Sequence, residues 1–217
     1  IRVSGDIPLT ANMIISGGRY IVQYDTAANS SAGAWVLLGS SGSGVWSPPQ
    51  GRLTLATAVP VMVSTQSAKT TVYYTPYTGL YVPIYNGTNF AMTSIAAELS
   101  QATTDSTKSP AAVAASKNYD VFVWSDGGTM RATRGPAWTT PASSRGTGAG
   151  TTELVMVNGI LLNANDITNG PAAQRGTYVG TIHSNGSSQI DWILGAAGAG
   201  GTAAILGVWN AYNRVDV

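Results

Sequence analysis

The chain has 217 residues, a formal net charge of +1, 44% hydrophobic residues, 26 glycines, 10 tyrosines, 6 tryptophans and no cysteine. Only 10% of its residues are charged, against about 25% in an ordinary globular chain, yet the aromatic content excludes a disordered chain, which cannot bury enough apolar surface to fold. The absence of a Lys/Arg stripe argues against nucleic-acid binding, and the absence of thiols excludes disulfides and thiolate metal sites.

Ile1 is not followed by a signal-like apolar core, and the most apolar stretch, Gly195–Val208, is rich in Gly and Ala and too short to span a bilayer. A soluble chain without membrane insertion is expected. Residues 1–45 read as a small leading β unit. Arg19–Tyr24 alternates apolar and polar residues as a half-buried strand does. Ala34–Leu38 is its expected partner across the polar loop Asp25–Gly33. Gly39–Gly44 has linker composition, and Ser47-Pro48-Pro49 stiffens the approach to residues 46–217, the expected β-rich head module.

The head is organised around Thr71–Met92, which gathers Tyr73, Tyr74, Tyr77, Tyr81, Tyr85 and Phe90 into short runs between turns. Aromatic and β-branched residues suit the half-buried surface of a strand. Thr75-Pro76-Tyr77-Thr78-Gly79 supplies a turn, and Asn86-Gly87 has the chemistry of a tight hairpin tip. Pro83 cannot donate to a ladder, so its strand belongs at an edge or a bulge. Ser94–Ala102 is predicted as the one short helix, with Ser94 as cap, Glu98 near the positive end, and Ile95 and Leu99 on one face. Thr103–Ser116 is a Ser/Thr/Ala loop expected to be mobile. Phe122 and Trp124 oppose Val121 and Val123, the pattern of a strand buried on both faces. Further hairpins are predicted at Asp126-Gly127, Asn158-Gly159 and Asn185-Gly186, the last leading into a strand with Ile190, Trp192 and Leu194 on one face. With no βαβ rhythm, the expected fold is all-β: an antiparallel β-sandwich or barrel-like module with short hairpins and one short helix, preceded by the small β unit.

Chemistry-bearing patterns are sparse. His183 is the sole histidine and sits on a strand, where an exposed strand residue is the expected reading. Glycoside hydrolysis needs two carboxylates flanking one bond, and Asp120, Asp126, Glu153 and Asp191 are candidates that no motif fixes as a pair. Asn163, Asn165 and Asp166 offer oxygens to Ca²⁺ but lack the charge and terminal Glu of an EF-hand, so they read as turn residues. Gly146–Gly150 has no following Lys and is no phosphate loop. Asn29, Asn86 and Asn185 open N-x-Ser/Thr sequons, two of them at Asn-Gly tips where turn geometry alone explains the Asn. No enzyme activity, metal or cofactor is expected.

The run YYTPYTGLYVPIYNGTNF, with Asn118–Trp124 (NYDVFVW), Gly135–Trp138 (GPAW) and Trp209–Val215 (WNAYNRV), resembles a module of tail-fibre and related virion structural proteins of tailed bacteriophages. The ordered pieces span Leu53 to Val217, and the leading strand-loop-strand ending in Trp35 resembles the segment before a fibre head. The resemblance implies a non-enzymatic structural protein of the virion, the distal host-binding part of a tail fibre. A capsid decoration or head-fibre protein is the alternative, and a glycan-cleaving spike enzyme the outsider. It also implies a homotrimer, with contact through Tyr20, Tyr24 and Trp35, that meets other virion proteins and a bacterial surface polysaccharide or outer-membrane protein. The aromatics least needed by a core are the turn-borne Tyr77, the loop-borne Trp138 and, on an exposed edge, Tyr81. These three are the candidate ligand-binding residues, because aromatic faces stack on the C–H faces of sugars.

Overall fold

The computed structural model describes residues 2–3, 7–8, 20–27, 29–40, 47–195, 201 and 203–214. The chain divides into two compact units, residues 1–46 and 47–217. Among the described residues every regular element is a strand.

In the first unit, β1 (Arg2–Val3), β2 (Ile7–Pro8), β3 (Tyr20–Asp25) and β4 (Ala34–Ser40) form one sheet in the order β2-β1-β4-β3. The β1–β4 pair is parallel and the other two are antiparallel. The β3–β4 connection turns through positive φ at Asn29, Ser30, Ser31 and Gly33, and the Asp25 carboxylate accepts the Ala27 N–H. Tyr24 and Trp35 are cross-strand partners with ring centroids 5.4 Å apart in an edge-to-face contact. Gly39 and Ser40, expected in the linker, belong to β4, and the rest of that stretch lies outside the described residues, as does the side chain of Tyr20.

The second unit contains β5 (Gly51–Thr54), β6 (Gln66–Lys69), β7 (Thr71–Pro76), β8 (Tyr81–Tyr85), β9 (Phe90–Ser94) and β10 (Leu99–Ala102). There follow β11 (Asn118–Asp126), β12 (Thr129–Ala137), β13 (Leu154–Val157), β14 (Ile160–Asn163) and β15 (Thr177–His183). The last are β16 (Ile190–Ile193), β17 (Ile205–Leu206) and β18 (Val208–Asn210). A six-stranded antiparallel sheet runs β12-β11-β15-β14-β13, with β18 also paired to β15. Smaller sheets, β10-β7-β5, β17-β16-β6 and β8-β9, complete the unit. The layers are sandwich-like, and the barrel alternative is not realised because among the described residues no sheet closes on itself.

Alternation along β11 explains the layering. Val121 and Val123 face the main core with Leu53, Val72, Tyr74, Val179, Ile182 and Ile190, while Phe122 faces a second cluster with Ile167 and Tyr178. Central strands buried on both faces read as continuous apolar runs, and β11 does. Pro83 lies in β8, which pairs only with β9, so its missing N–H costs the ladder nothing.

Two tips are two-residue turns with both residues at positive φ, Gly127-Gly128 between Asp126 and Thr129, and Asn158-Gly159 between Val157 and Ile160. The Asn86-Gly87 hairpin is wider. Tyr85 pairs with Phe90, and the Asn86 side chain accepts the N–H groups of Thr88 and Asn89. At Asn185-Gly186 the chain reverses, but only one bridge, Ser184 to Ile190, joins the two arms. Beyond it β16 leaves the six-stranded sheet to pair with β6 and β17. Ile190 and Trp192 are buried there and Leu194 is exposed.

The predicted helix over Ser94–Ala102 is absent. Ser94 ends β9, its hydroxyl accepts the Ala96 N–H in a local turn, and Ile95 donates its N–H to Leu80. Leu99–Ala102 then pairs with Thr71–Tyr74 along the whole of β10. A nine-residue amphipathic pattern is too short to hold a helix unaided, and the open edge of β7 offers a ladder instead. The Thr103–Ser116 loop, expected to be mobile, is tied down by Arg134. This fully buried guanidinium donates to the carbonyls of Ala102, Thr103, Asp105 and Ala111. The closing WNAYN segment zips onto the start of the unit. The Asn210 amide exchanges two bonds with the Leu53 backbone, and the Asn213 amide donates to Pro49 and Gly51.

Candidate ligand-binding surface

Tyr77 and Tyr81 bracket the short β7–β8 loop, Tyr77-Thr78-Gly79-Leu80-Tyr81. A loop of this length has few internal bonds of its own, and Gln50 supplies them from outside. Its carbonyl accepts the N–H groups of Tyr77 and Thr78, at 3.2 and 2.9 Å, and the Thr78 hydroxyl. Its side-chain oxygen accepts the Tyr81 N–H at 3.0 Å, and its own N–H donates to the Tyr81 carbonyl. The Gln50 side chain also sits against Gly79, where an added Cβ would lie 2.1 Å from Oε1, so a larger residue there would push the Gln50 carboxamide aside. The loop backbone is thereby fixed while its apolar side chains point outward: Tyr77, Leu80 and Tyr81 are 42%, 43% and 47% exposed. The Arg52 guanidinium lies 5.3 Å from the Tyr77 ring centroid and steadies that ring from beneath. Arg52 is itself buried, its Nη1 donating to the Asn213 carbonyl. The loop carries no charged residue.

Trp138 stands elsewhere and does other work. It follows β12, and its N–H donates to the Asn118 carbonyl. Its ring roofs the guanidinium of Arg145, 4.4 Å from the centroid. Arg145 reaches down from the loop after Trp138 to Asp120, with Nε–Oδ2 2.5 Å and Nη2–Oδ1 3.3 Å. The fully buried Asp120 also accepts the Thr181 and Thr152 hydroxyls, and Tyr178 bonds both Arg145 and Thr181. Burial pushes the Asp120 carboxyl up against the pull of Arg145 and Thr181. On Arg145 burial is outweighed by the Asp120 carboxylate, which raises the guanidinium above its ordinary value and keeps it charged. The Trp138 indole N–H is turned toward Asp120 and helps to hold it down, but it does not reach hydrogen-bond geometry. Trp138 is thus the lid of a buried ion pair. The structure brings Tyr77 and Tyr81 together on one loop and sets Trp138 apart, since among the described residues no hydrogen bond or ring contact joins Trp138 to the Gln50 loop.

The other carboxylates are dispersed and engaged. Asp126 takes Lys108 at 2.6 Å and Arg131 at 2.7 Å. Asp191 accepts the Ala68 N–H and an Asn185 amide hydrogen, and Glu153 accepts the Gly148 N–H and Asn165. A shallow cleft of about 210 Å³ beside Asp105, Lys108 and Arg131 includes Glu98, whose carboxylate holds Thr57, Thr75 and the Ala58 N–H. The oxygen-rich loop likewise serves the backbone. The Asn163 amide donates to Asn165, Pro171 and Ala172 and accepts the Gly176 N–H, and Asp166 accepts the Ala173 N–H. His183 is exposed, its Nδ1 2.7 Å from the Asn118 side-chain oxygen.

Sequence reasoning expected Tyr77 and Tyr81 outside the core through their turn residues, and both are exposed, but it missed Gln50 and Arg145. Each acts on a partner remote in sequence, and neither lies in a motif. Comparison with protein-family models, with curated proteins and with solved structures finds no match.

Proposed function

We propose that this chain is a non-enzymatic structural protein of a tailed-bacteriophage virion, the distal host-binding part of a tail fibre. Its ligand is an uncharged segment of a bacterial surface polysaccharide, bound on Tyr77, Leu80 and Tyr81. The observation that carries the reading is the Gln50 clamp. Three large apolar side chains, each more than two-fifths exposed, are held outward on a loop whose backbone is bonded at both ends. Preorganised aromatic faces lose little freedom on binding and stack on sugar C–H faces. A loop without charge suits a neutral sugar better than an acidic one. The engagement of Asp120, Asp126, Glu153 and Asp191 in distant structural bonds supports a binding role over glycoside cleavage. The ordered resemblance to tail-fibre modules supports a virion setting for this surface, and assembly as a homotrimer through the leading unit belongs to the same reading.

The test compares Tyr77→Ala, Tyr81→Ala and Trp138→Ala in adsorption to host cells and in urea unfolding. The two tyrosine variants lose adsorption while their unfolding free energies stay within about 0.5 kcal/mol of the parent, as surface changes do. Trp138→Ala loses stability, because it uncovers the Arg145–Asp120 pair. Full adsorption by the double tyrosine variant overturns the binding reading, and if the same change weakens the particle itself, capsid decoration takes its place.

A further inference from the structure

Asn-Gly sequences are chemically reactive as well as turn-forming. The glycine amide nitrogen can attack the asparagine Cγ, forming a succinimide and releasing ammonia. Water then opens the ring to aspartate or to isoaspartate, whose main chain is one methylene longer. The step needs an asparagine carboxamide free to rotate onto the next peptide nitrogen. A carboxamide already held by hydrogen bonds must break them first, which slows the step.

The chain has four Asn-Gly pairs and one Asp-Gly pair. At Asn86 the side-chain oxygen accepts the Thr88 and Asn89 N–H groups, both at 2.9 Å. At Asn185 the oxygen accepts Ser187 and Gln189, and the nitrogen donates to Asp191. At Asn169 the nitrogen donates to the Ser106 carbonyl, and the attacking Gly170 N–H is itself bonded to Ile167. Asp126 is held as a carboxylate by Lys108 and Arg131, and a carboxylate is a poor electrophile. Asn158 differs from all of these. It and Gly159 are exposed at the tip between β13 and β14, and its carboxamide makes no hydrogen bond among the described residues.

We propose that Asn158 is a site of spontaneous succinimide formation, a built-in ageing position whose product is aspartate or isoaspartate, and that the other four pairs are protected by their own side-chain bonds. Conversion changes the formal net charge from +1 to 0, since one neutral amide becomes one carboxylate. In the isoaspartyl form it also inserts a methylene into a two-residue tip whose geometry depends on positive φ at both positions, 46° and 86°.

The experiment incubates the folded protein at mildly alkaline pH and maps peptides by mass, reading a gain of about one mass unit at each Asn. The same measurement in denaturant gives the unprotected rate of each site. Relative to that rate, Asn158 reacts about fivefold or more faster in the folded chain than Asn169, whose carboxamide holds one bond, and faster still than Asn86 and Asn185, which hold two and three. Asn158→Ser abolishes the early product and the accompanying charge variant. Protection of Asn158 equal to that of the other three, or faster conversion at any of them, overturns the proposal.

Discussion

Arg134 shows how much one side chain can organise here. Burial lowers its pKa, and among the described residues no carboxylate ion-pairs with it; four carbonyl oxygens of residues 102–111 and the Tyr119 ring surround the charge instead. Replacing it by Met removes every one of those donors and strands the carbonyls in a dry site. Arg134→Met therefore costs about 3 kcal/mol, the scale of charge-assisted bonds lost together with unsatisfied acceptors, read as a lower urea midpoint. Arg134→Lys does not restore it, because a single ammonium cannot span four carbonyls as the planar fork does. The sequence around Thr103–Ser116 holds no sign of this anchor, which arrives from β12. The same limit explains the candidate site. Tyr77 and Tyr81 were legible as exposed because their own neighbours form a turn. Trp138 looked equally loop-borne, and only the approach of Arg145 and Asp120 reveals it as a lid.

At the scale of elements, the hairpins were legible and strand β10, predicted as a helix, was not, for one reason. A tip such as Asn158-Gly159 is decided by two residues and their φ angles. Leu99–Ala102 is decided by a strand edge some twenty-five residues earlier in the chain. Glu98 stands at the start of that strand and joins it to the Ala58 turn and to Thr75 of β7. Burial pushes the Glu98 carboxyl up, but the Thr57 and Thr75 hydroxyls and the Ala58 N–H outweigh it and leave the group below its ordinary 4.5. Asp105 follows the same pattern below its ordinary 3.8, with Thr107, Gln101 and Lys108 outweighing burial. A depressed carboxylate contributes stability that is present above its unfolded value and lost as pH falls through its folded value. Asp120, pushed up, works in the opposite sense: its contribution is present below the unfolded value and lost as pH rises through the folded one. The expected result is a urea midpoint that holds from neutral pH down to about 5 and falls below about 4. Glu98→Gln lowers the midpoint at neutral pH and makes the fall on acidification shallower.

At the scale of the whole molecule, the closing contacts decide what can stand alone. The last described strand returns to the first strand of its own unit, through Asn210 to Leu53 and Asn213 to Pro49 and Gly51. The main core is drawn from β5 through β18. Residues 47–217 therefore contain both halves of these closing bonds, and a fragment of that span unfolds with the same urea midpoint as the corresponding transition of the full chain. The leading unit is different in kind. It holds 46 residues, and Tyr24 and Trp35, 50% and 53% exposed, form an apolar pair on its surface. A sheet of this size gains little from its own core, and an exposed aromatic pair gains most by burial against a copy. Under the proposed trimeric assembly, light scattering gives three chains for the full protein and one for the 47–217 fragment. Tyr24→Ala with Trp35→Ala shifts the full chain toward monomer while leaving the head's midpoint unchanged. A trimeric 47–217 fragment would move the assembly surface to the head, and a monomeric full chain at every concentration would remove the trimer.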